Sequence, residues 1–149
     1  MPTQSRWYIR TALIWLVLAF IVGGAILISR AQQWGSIGGA LQPVFYHLLM
    51  VGWTFQLICG VALWLFPVLG KERPRGDERL TWAAYVGLNL GLLLRALFEP
   101  LLLLMPGALA SWAVVLAALL QAIAVWLFVV AIWPRVRGKR SALPQRRIS

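Results

Sequence analysis

A single histidine lies within a strongly apolar stretch of the sequence, YHLLMVGWTFQLICGVALWLFP, which spans residues 46–67. His47 is the only histidine of the chain. An imidazole is costly in a hydrocarbon environment, so it is a functional candidate by default. A neutral imidazole is a good ligand for heme iron or copper. The alternative is a histidine that only forms a hydrogen bond with a neighbouring helix, and the residue taken alone favours this structural role.

A second group of candidates lies in another apolar segment. Arg95 and Glu99 are spaced i, i+4, so on a helix they share a face and can neutralise one another. They are either a self-contained ion pair, or Arg95 reaches an anionic ligand such as a heme propionate at about the depth of His47. Met50 is too close to His47 on the same helix to bind the opposite face of a heme iron, so we expect it to fill space.

The remaining polar residues suggest no familiar catalytic site. The sequence has no pair of carboxylates placed for acid–base work, no Ser/His/Asp arrangement and no glycine-rich phosphate loop, which argues against a hydrolase or a nucleotide enzyme. Cys59 is the only cysteine, and we expect it to behave as a small buried hydrophobe. The other polar residues inside apolar segments are Thr54, Gln56, Asn89 and Gln121.

The composition is that of a membrane protein. Of the 149 residues, 61% are hydrophobic and 12% are charged, whereas soluble domains have about 45–50% apolar and about 25% charged residues. The net charge of +10 does not indicate nucleic-acid binding, because the basic residues lie between apolar segments or at the chain ends. We therefore expect membrane lipid, and no nucleic acid, as a partner.

Four apolar segments are long enough to cross a bilayer, which requires roughly 20 residues. Lipid offers the backbone no hydrogen-bond partners, so these spans must be helices. The prediction is an all-α, integral membrane four-helix bundle forming a single transmembrane domain. A cleaved signal peptide is the alternative for the first segment, but its apolar core is longer than usual. The spans are residues 11–28, 43–69, 80–104 and 108–133.

The distribution of Lys and Arg predicts the orientation. Basic residues precede the first span, fill the connector between the second and third, and follow the fourth, whereas the other two connectors have almost none. By the positive-inside rule, we expect both termini and the middle connector to lie in the cytoplasm. The membrane itself is then expected to be the inner (cytoplasmic) membrane. Residues 135–149 form a basic cytoplasmic tail that can touch anionic headgroups.

Helix contacts and helix ends are also marked in the sequence. Ala83, Gly87 and Gly91 recur every four residues, a ridge of small side chains that lets another helix approach closely. That partner is either in the same chain or in another copy. Pro67 and Pro134 lie near the cytoplasmic ends of the second and fourth spans, where a helix can stop.

The histidine-containing stretch resembles a known motif. His47, then LLMVGW, then Gly60 through Pro67 (GVALWLFP) is similar to the second transmembrane helix of subunit I in the heme–copper oxidase superfamily, and is nearest to the nitric oxide reductase-like branch. The segment NLGLLLRALFEP, residues 89–100, is also similar to small oxidase subunit I-like membrane proteins. The resemblance implies that His47 is an axial ligand of a low-spin heme b. It also implies that this chain matches one of three pseudo-equivalent four-helix groups of the large subunit.

The chain departs from that family in its number of histidines. The family has a second axial histidine and several more around copper, and this chain has His47 alone. It should therefore not form a complete oxygen- or NO-reducing centre by itself. The family's symmetry suggests a homo-oligomer in which His47 of two protomers faces one heme.

Three functions remain open from the sequence. The first is a b-type heme-binding protein in electron transfer or respiratory gas chemistry, with His47 as iron ligand, Arg95 as propionate partner and a respiratory-chain electron donor. The second is a non-catalytic accessory or assembly subunit of a respiratory complex without its own cofactor. A small transporter or channel is the weakest, because paired broken helices and rings of charge are missing.

Overall fold

The computed structural model describes residues 1–67 and 77–136. In these ranges the chain is helical and contains no strand. Four helices are long and apolar enough to cross a membrane, which confirms the predicted all-α, multi-pass architecture. They are α1 (Thr3–Ala31), α2 (Ile37–Leu65), α3 (Glu78–Leu104) and α4 (Ala108–Val136).

The first two helices begin before the predicted spans. The first begins at Thr3 and the second at Ile37, ahead of the predicted starts at residues 11 and 43. The side chain of Asp77 accepts a hydrogen bond from the backbone N–H of Arg79 (2.9 Å) and so caps the first turn of α3.

Two predicted helix ends have different outcomes. Helix α2 ends at Leu65, and Phe66 adopts an extended conformation, as expected for a residue that precedes a proline. Pro134, by contrast, does not end α4, which continues to Val136. A proline removes one helical hydrogen bond but does not force the last turn to unwind when its φ is already helical.

The bundle is built from two helical hairpins. Helix α1 packs along α2, α3 packs along α4, and α2 joins the hairpins by its contacts with α3. The turn after α1 places Gln33 and Gly35 at positive φ values of 54° and 63°. Glycine adopts this conformation without strain, and its Cβ position is open.

The core consists of two clusters at different depths. The first contains Tyr8, Cys59, Leu63, Ala84, Phe128 and Ile132. The second contains Trp15, Ala19, Val44, Leu48 and Leu92. Cys59 is 2% exposed and unpaired, as predicted for a small buried hydrophobe. Many large apolar side chains face outward on all four helices, which fits contact with membrane lipid.

The predicted ridge of small residues packs within the chain. A Cβ on Gly91 would lie 2.7 Å from Cγ of Gln121, and one on Gly87 would lie 3.4 Å from Cβ of Ala124. Both neighbours belong to α4. Ala83, the third member, is exposed. The close approach that the ridge permits is therefore between α3 and α4 of one protomer.

Helix α2 changes its winding in the middle. Residues Leu48–Phe55 form a π-helix between two α-helical parts, Ile37–His47 and Gln56–Leu65. Within it, the Thr54 hydroxyl donates to the carbonyl of Leu49 (3.0 Å). Such segments are rare and often occur at functional sites.

Candidate functional site

His47 is the last residue of the first α-helical part of α2, directly before the π-helix. Its Nδ1 lies 2.9 Å from the carbonyl oxygen of Pro43. A carbonyl can only accept a hydrogen bond, so Nδ1 is the donor in this contact, and in the Nδ1–H tautomer of the ring Nε2 keeps its lone pair. The side chain is 29% exposed. In the described part of the chain, Nε2 has no hydrogen-bond partner.

A carboxylate lies beside the same ring nitrogen. Oε2 of Glu99 is 3.3 Å from Nδ1 of His47, and Oε1 is 3.0 Å from Nη1 of Arg95. The structure thus confirms the Arg95–Glu99 pair predicted from their i, i+4 spacing. It also adds a contact that the sequence did not predict, between Glu99 of α3 and His47 of α2. The only signal for this contact was that both residues lie inside apolar spans.

The hydrogen bonding of this His47–Arg95–Glu99 cluster is incomplete. Nε of Arg95 and Oε2 of Glu99 are buried and have no hydrogen-bond partner among the described residues. Oε2 of Glu99 lies close to Nδ1 of His47 but forms no hydrogen bond with it. Buried polar groups without partners cost about 1–3 kcal/mol each, so a polar or charged group that bonded to these atoms would stabilise the cluster.

A series of hydrogen bonds connects polar side chains in the first half of α1 with the first half of α3. Partner numbers rise together along the two helices, so α1 and α3 run in the same direction. The pairs are Tyr8 with the Thr81 carbonyl (2.9 Å), Thr11 with Tyr85 (2.6 Å) and Trp15 with Asn89 (2.7 Å). Asn89, a candidate from the sequence, therefore has a structural role.

The other candidates from the sequence are also separate from His47. Gln56 is fully buried, and its amide nitrogen donates to the Tyr8 carbonyl (3.4 Å). The Gln121 side chain lies over Gly91 on α3. Thr54 bonds to its own helix. Of the polar residues within the apolar segments, the structure thus brings together His47, Arg95 and Glu99.

Arg135 is a residue whose role the sequence did not reveal. It belongs to the predicted cytoplasmic tail, yet it is only 3% exposed. Its guanidinium donates to carbonyls at the end of α2, including those of Leu63 and Pro67 (both 3.1 Å). A cation at a helix C-terminus satisfies free carbonyls and opposes the negative end of the helix dipole. Residues 137–149 of the tail lie outside the described residues.

No protein-family model, curated protein or solved structure matches this chain. In the ranges that the structure describes, no group of three or more His, Cys, Asp and Glu side chains is placed to hold a metal ion.

A heme places different demands on the site, because its porphyrin supplies the equatorial ligands. Only an axial donor is required from the protein, and Nε2 of His47 fits this role because Nδ1 is held by the Pro43 carbonyl. Ligand histidines commonly donate their other N–H to a carbonyl or a carboxylate, and His47 has both within 3.3 Å. Arg95 fits the propionate role less directly, since Glu99 already neutralises it.

Proposed function

We propose that this chain is a b-type heme-binding integral membrane protein in which His47 supplies an axial ligand. The observation that carries the proposal is the hydrogen bond from Nδ1 of His47 to the Pro43 carbonyl, which leaves Nε2 as a lone-pair donor on a half-buried side chain. When bound, a heme would supply one-electron chemistry for electron transfer or respiratory gas chemistry. A respiratory-chain electron donor would be its partner.

Within the cluster, Glu99 and Arg95 are positioning residues in this proposal. The carboxylate of Glu99 lies beside Nδ1 and favours the proton on that nitrogen, and Arg95 holds the carboxylate in place. Arg95 would in addition donate to a heme propionate, and its buried Nε has no hydrogen-bond partner among the described residues.

The single histidine requires a second protomer for six-coordination by two histidines. His47 is 29% exposed, so its ring is accessible from outside the bundle. A homo-oligomer in which two protomers each contribute His47 satisfies the second axial position and predicts one heme for two chains.

The test is the absorption spectrum of protein purified in detergent after expression with added heme precursor. We expect a Soret band that shifts on reduction with dithionite, low-spin six-coordinate features and a heme-to-chain ratio near one to two. The His47→Ala variant should lose this spectrum, and Arg10→Gln, which changes an exposed residue outside the cluster, should retain it. A low-spin spectrum that survives His47→Ala would sink the proposal, and a low-spin ratio of one to one would exclude the shared heme.

The second candidate is an accessory or assembly subunit without a cofactor. It is favoured by the neutralisation of Arg95 by Glu99 within the chain, because this pair does not require a ligand for charge balance. A colourless protein that co-purifies with a larger respiratory complex, and still does so as His47→Ala, would support this function instead.

A further inference from the structure

A groove between α1 and α2 lies outside the His47–Arg95–Glu99 cluster. It has a volume of about 440 Å³ and is lined by Phe20, Gly23, Gly24, Leu27 and Phe45, with Arg30, Gln42 and Tyr46 among its polar residues. The lining residues of α1 recur every three or four positions (Phe20, Gly23 or Gly24, Leu27 and Arg30), so they share one face of the helix. A Cβ placed on Gly24 would meet no heavy atom within 4 Å, so this side of the helix is open.

The groove is as long as one leaflet of a bilayer is thick. Residues 20–30 of α1 cover about 15 Å at 1.5 Å per residue, and half of a hydrocarbon core of about 30 Å is also about 15 Å. The wall from Phe20 to Leu27 is apolar, and Arg30 lies one residue before the end of α1 at Ala31. An acyl chain along this wall would place its headgroup beside Arg30.

The polar end of the groove offers donors and a positive charge. Arg30 donates to the side-chain oxygen of Gln42 (3.0 Å), and Gln42 in turn donates to the Tyr46 hydroxyl oxygen (3.1 Å). Because Tyr46 accepts this bond, its own O–H remains available as a donor. The Gln42 amide is neutral and leaves the charge of Arg30 uncompensated.

No carboxylate of the described ranges lies within ion-pair distance of Arg30. Glu99 is engaged by Arg95 and His47, and Asp77 and Glu78 belong to the start of α3. An anionic phosphate oxygen is the acceptor that a guanidinium binds best. We propose that this groove binds one anionic phospholipid, with an acyl chain along α1 and the phosphate group at Arg30 and Tyr46.

The test is native mass spectrometry of the full-length protein in detergent, titrated with phosphatidylglycerol or with phosphatidylcholine of the same acyl chains. We expect one phosphatidylglycerol per chain to bind about tenfold more tightly than phosphatidylcholine. Arg30→Gln should remove this preference, and Tyr46→Phe should weaken it. Gly24→Leu, which fills the groove, should lower the binding of both lipids.

Two matched controls separate this site from general lipid contact. Arg10→Gln removes an exposed charge of the same helix far from the groove, and Gly39→Leu adds a side chain at an exposed glycine that does not line it. Both should bind lipid as the unmodified protein does. Equal losses in Arg30→Gln and Arg10→Gln, equal affinity for the two lipids, or unchanged binding in Gly24→Leu would each overturn the proposal.

Discussion

At the scale of single residues, His47 of α2 contacts the partly buried Arg95–Glu99 ion pair of α3. The side chains of Arg95 and Glu99 are 17% and 13% exposed. A charge at this depth in a membrane is tolerated when a partner neutralises it, and an uncompensated one is costly. The pair therefore stabilises the site chiefly by avoiding an isolated charge.

Removing the negative charge of Glu99 should show how far the stability of the protein depends on this ion pair. Glu99→Gln leaves Arg95 without its counter-charge, and we expect the free energy of unfolding to fall by about 2–3 kcal/mol. In the double variant Arg95→Met/Glu99→Gln, the free energy of unfolding should fall by less than the sum of the losses in the two single variants. We expect the difference, which is the coupling energy, to be about 1 kcal/mol or more. Reversible unfolding in mixed detergent micelles, followed by tryptophan fluorescence, measures these values. Strictly additive losses would show that the pair does not contribute to stability.

Arg135 provides a second residue-scale prediction. Its guanidinium bonds to carbonyls at the end of α2, and hydrogen bonds to charged groups contribute about 1.5–3 kcal/mol each. We expect Arg135→Met to lower the free energy of unfolding by about 2–4 kcal/mol, and Arg135→Lys to restore only part of it because an ammonium lacks the planar fork. The same unfolding measurement applies.

The control for Arg135 is Arg6→Met, because Arg6 is exposed on α1. This variant should change the free energy of unfolding by less than about 0.5 kcal/mol. If Arg135→Met lowered the free energy of unfolding by as little as Arg6→Met does, the contacts with the α2 carbonyls would not stabilise the fold.

At the scale of helices, close packing of α1 on α2 depends on glycine. A Cβ on Gly60 would lie 2.8 Å from Cγ1 of Ile9 and 3.2 Å from the Ile9 backbone nitrogen. A Cβ on Gly52 would lie 2.9 Å from Cβ of Trp15. The backbone of α1 cannot give way locally, so any larger residue must push the helices apart.

Gly60→Ala should therefore destabilise the protein despite alanine's higher helix propensity. We expect a loss of about 1–3 kcal/mol from overpacking. Gly39→Ala is the matched control, because its Cβ would meet no heavy atom within 4 Å, and it should be neutral or stabilising by up to about 1 kcal/mol. Thermal unfolding of Gly60→Ala, Gly39→Ala and the unmodified protein under the same conditions measures these changes in stability. A destabilised Gly39→Ala or an unaffected Gly60→Ala would contradict the packing of α1 on α2.

The π-helix of α2 is an element-scale feature with a consequence for the site. It begins at Leu48, directly after His47, and ends at Phe55. Wider winding rotates the two α-helical parts relative to one another. His47 lies at one end of this segment, and Gln56, at the other end, is buried against Tyr8. No local pattern in LLMVGWTF indicated this change, since its apolar content suits α- and π-winding equally.

At the scale of the whole molecule, the orientation stays a prediction and can be tested directly. The positive-inside rule places the connector after α1 outside and the basic tail in the cytoplasm. In a Cys59→Ala background, we expect Gln32→Cys to react with a membrane-impermeant maleimide in intact cells. Ser141→Cys should react only after permeabilisation. The reverse pattern would show the opposite orientation.

The sequence alone determined the number of helices and their approximate bounds. A bilayer leaves backbone groups unsatisfied unless they bond within a helix, so length and hydropathy suffice. The Arg95–Glu99 pair followed for a similar reason, because i, i+4 neighbours on one helix need no knowledge of the fold.

Contacts between helices required the tertiary structure. The meeting of His47 with Glu99, the burial of Arg135 under the end of α2, and the pairing of Gly87 and Gly91 with α4 each depend on how helices rotate and pack. In a span that is apolar all round, hydropathy does not mark which face turns inward. Close side-chain packing decides that rotation, and only the folded bundle contains it.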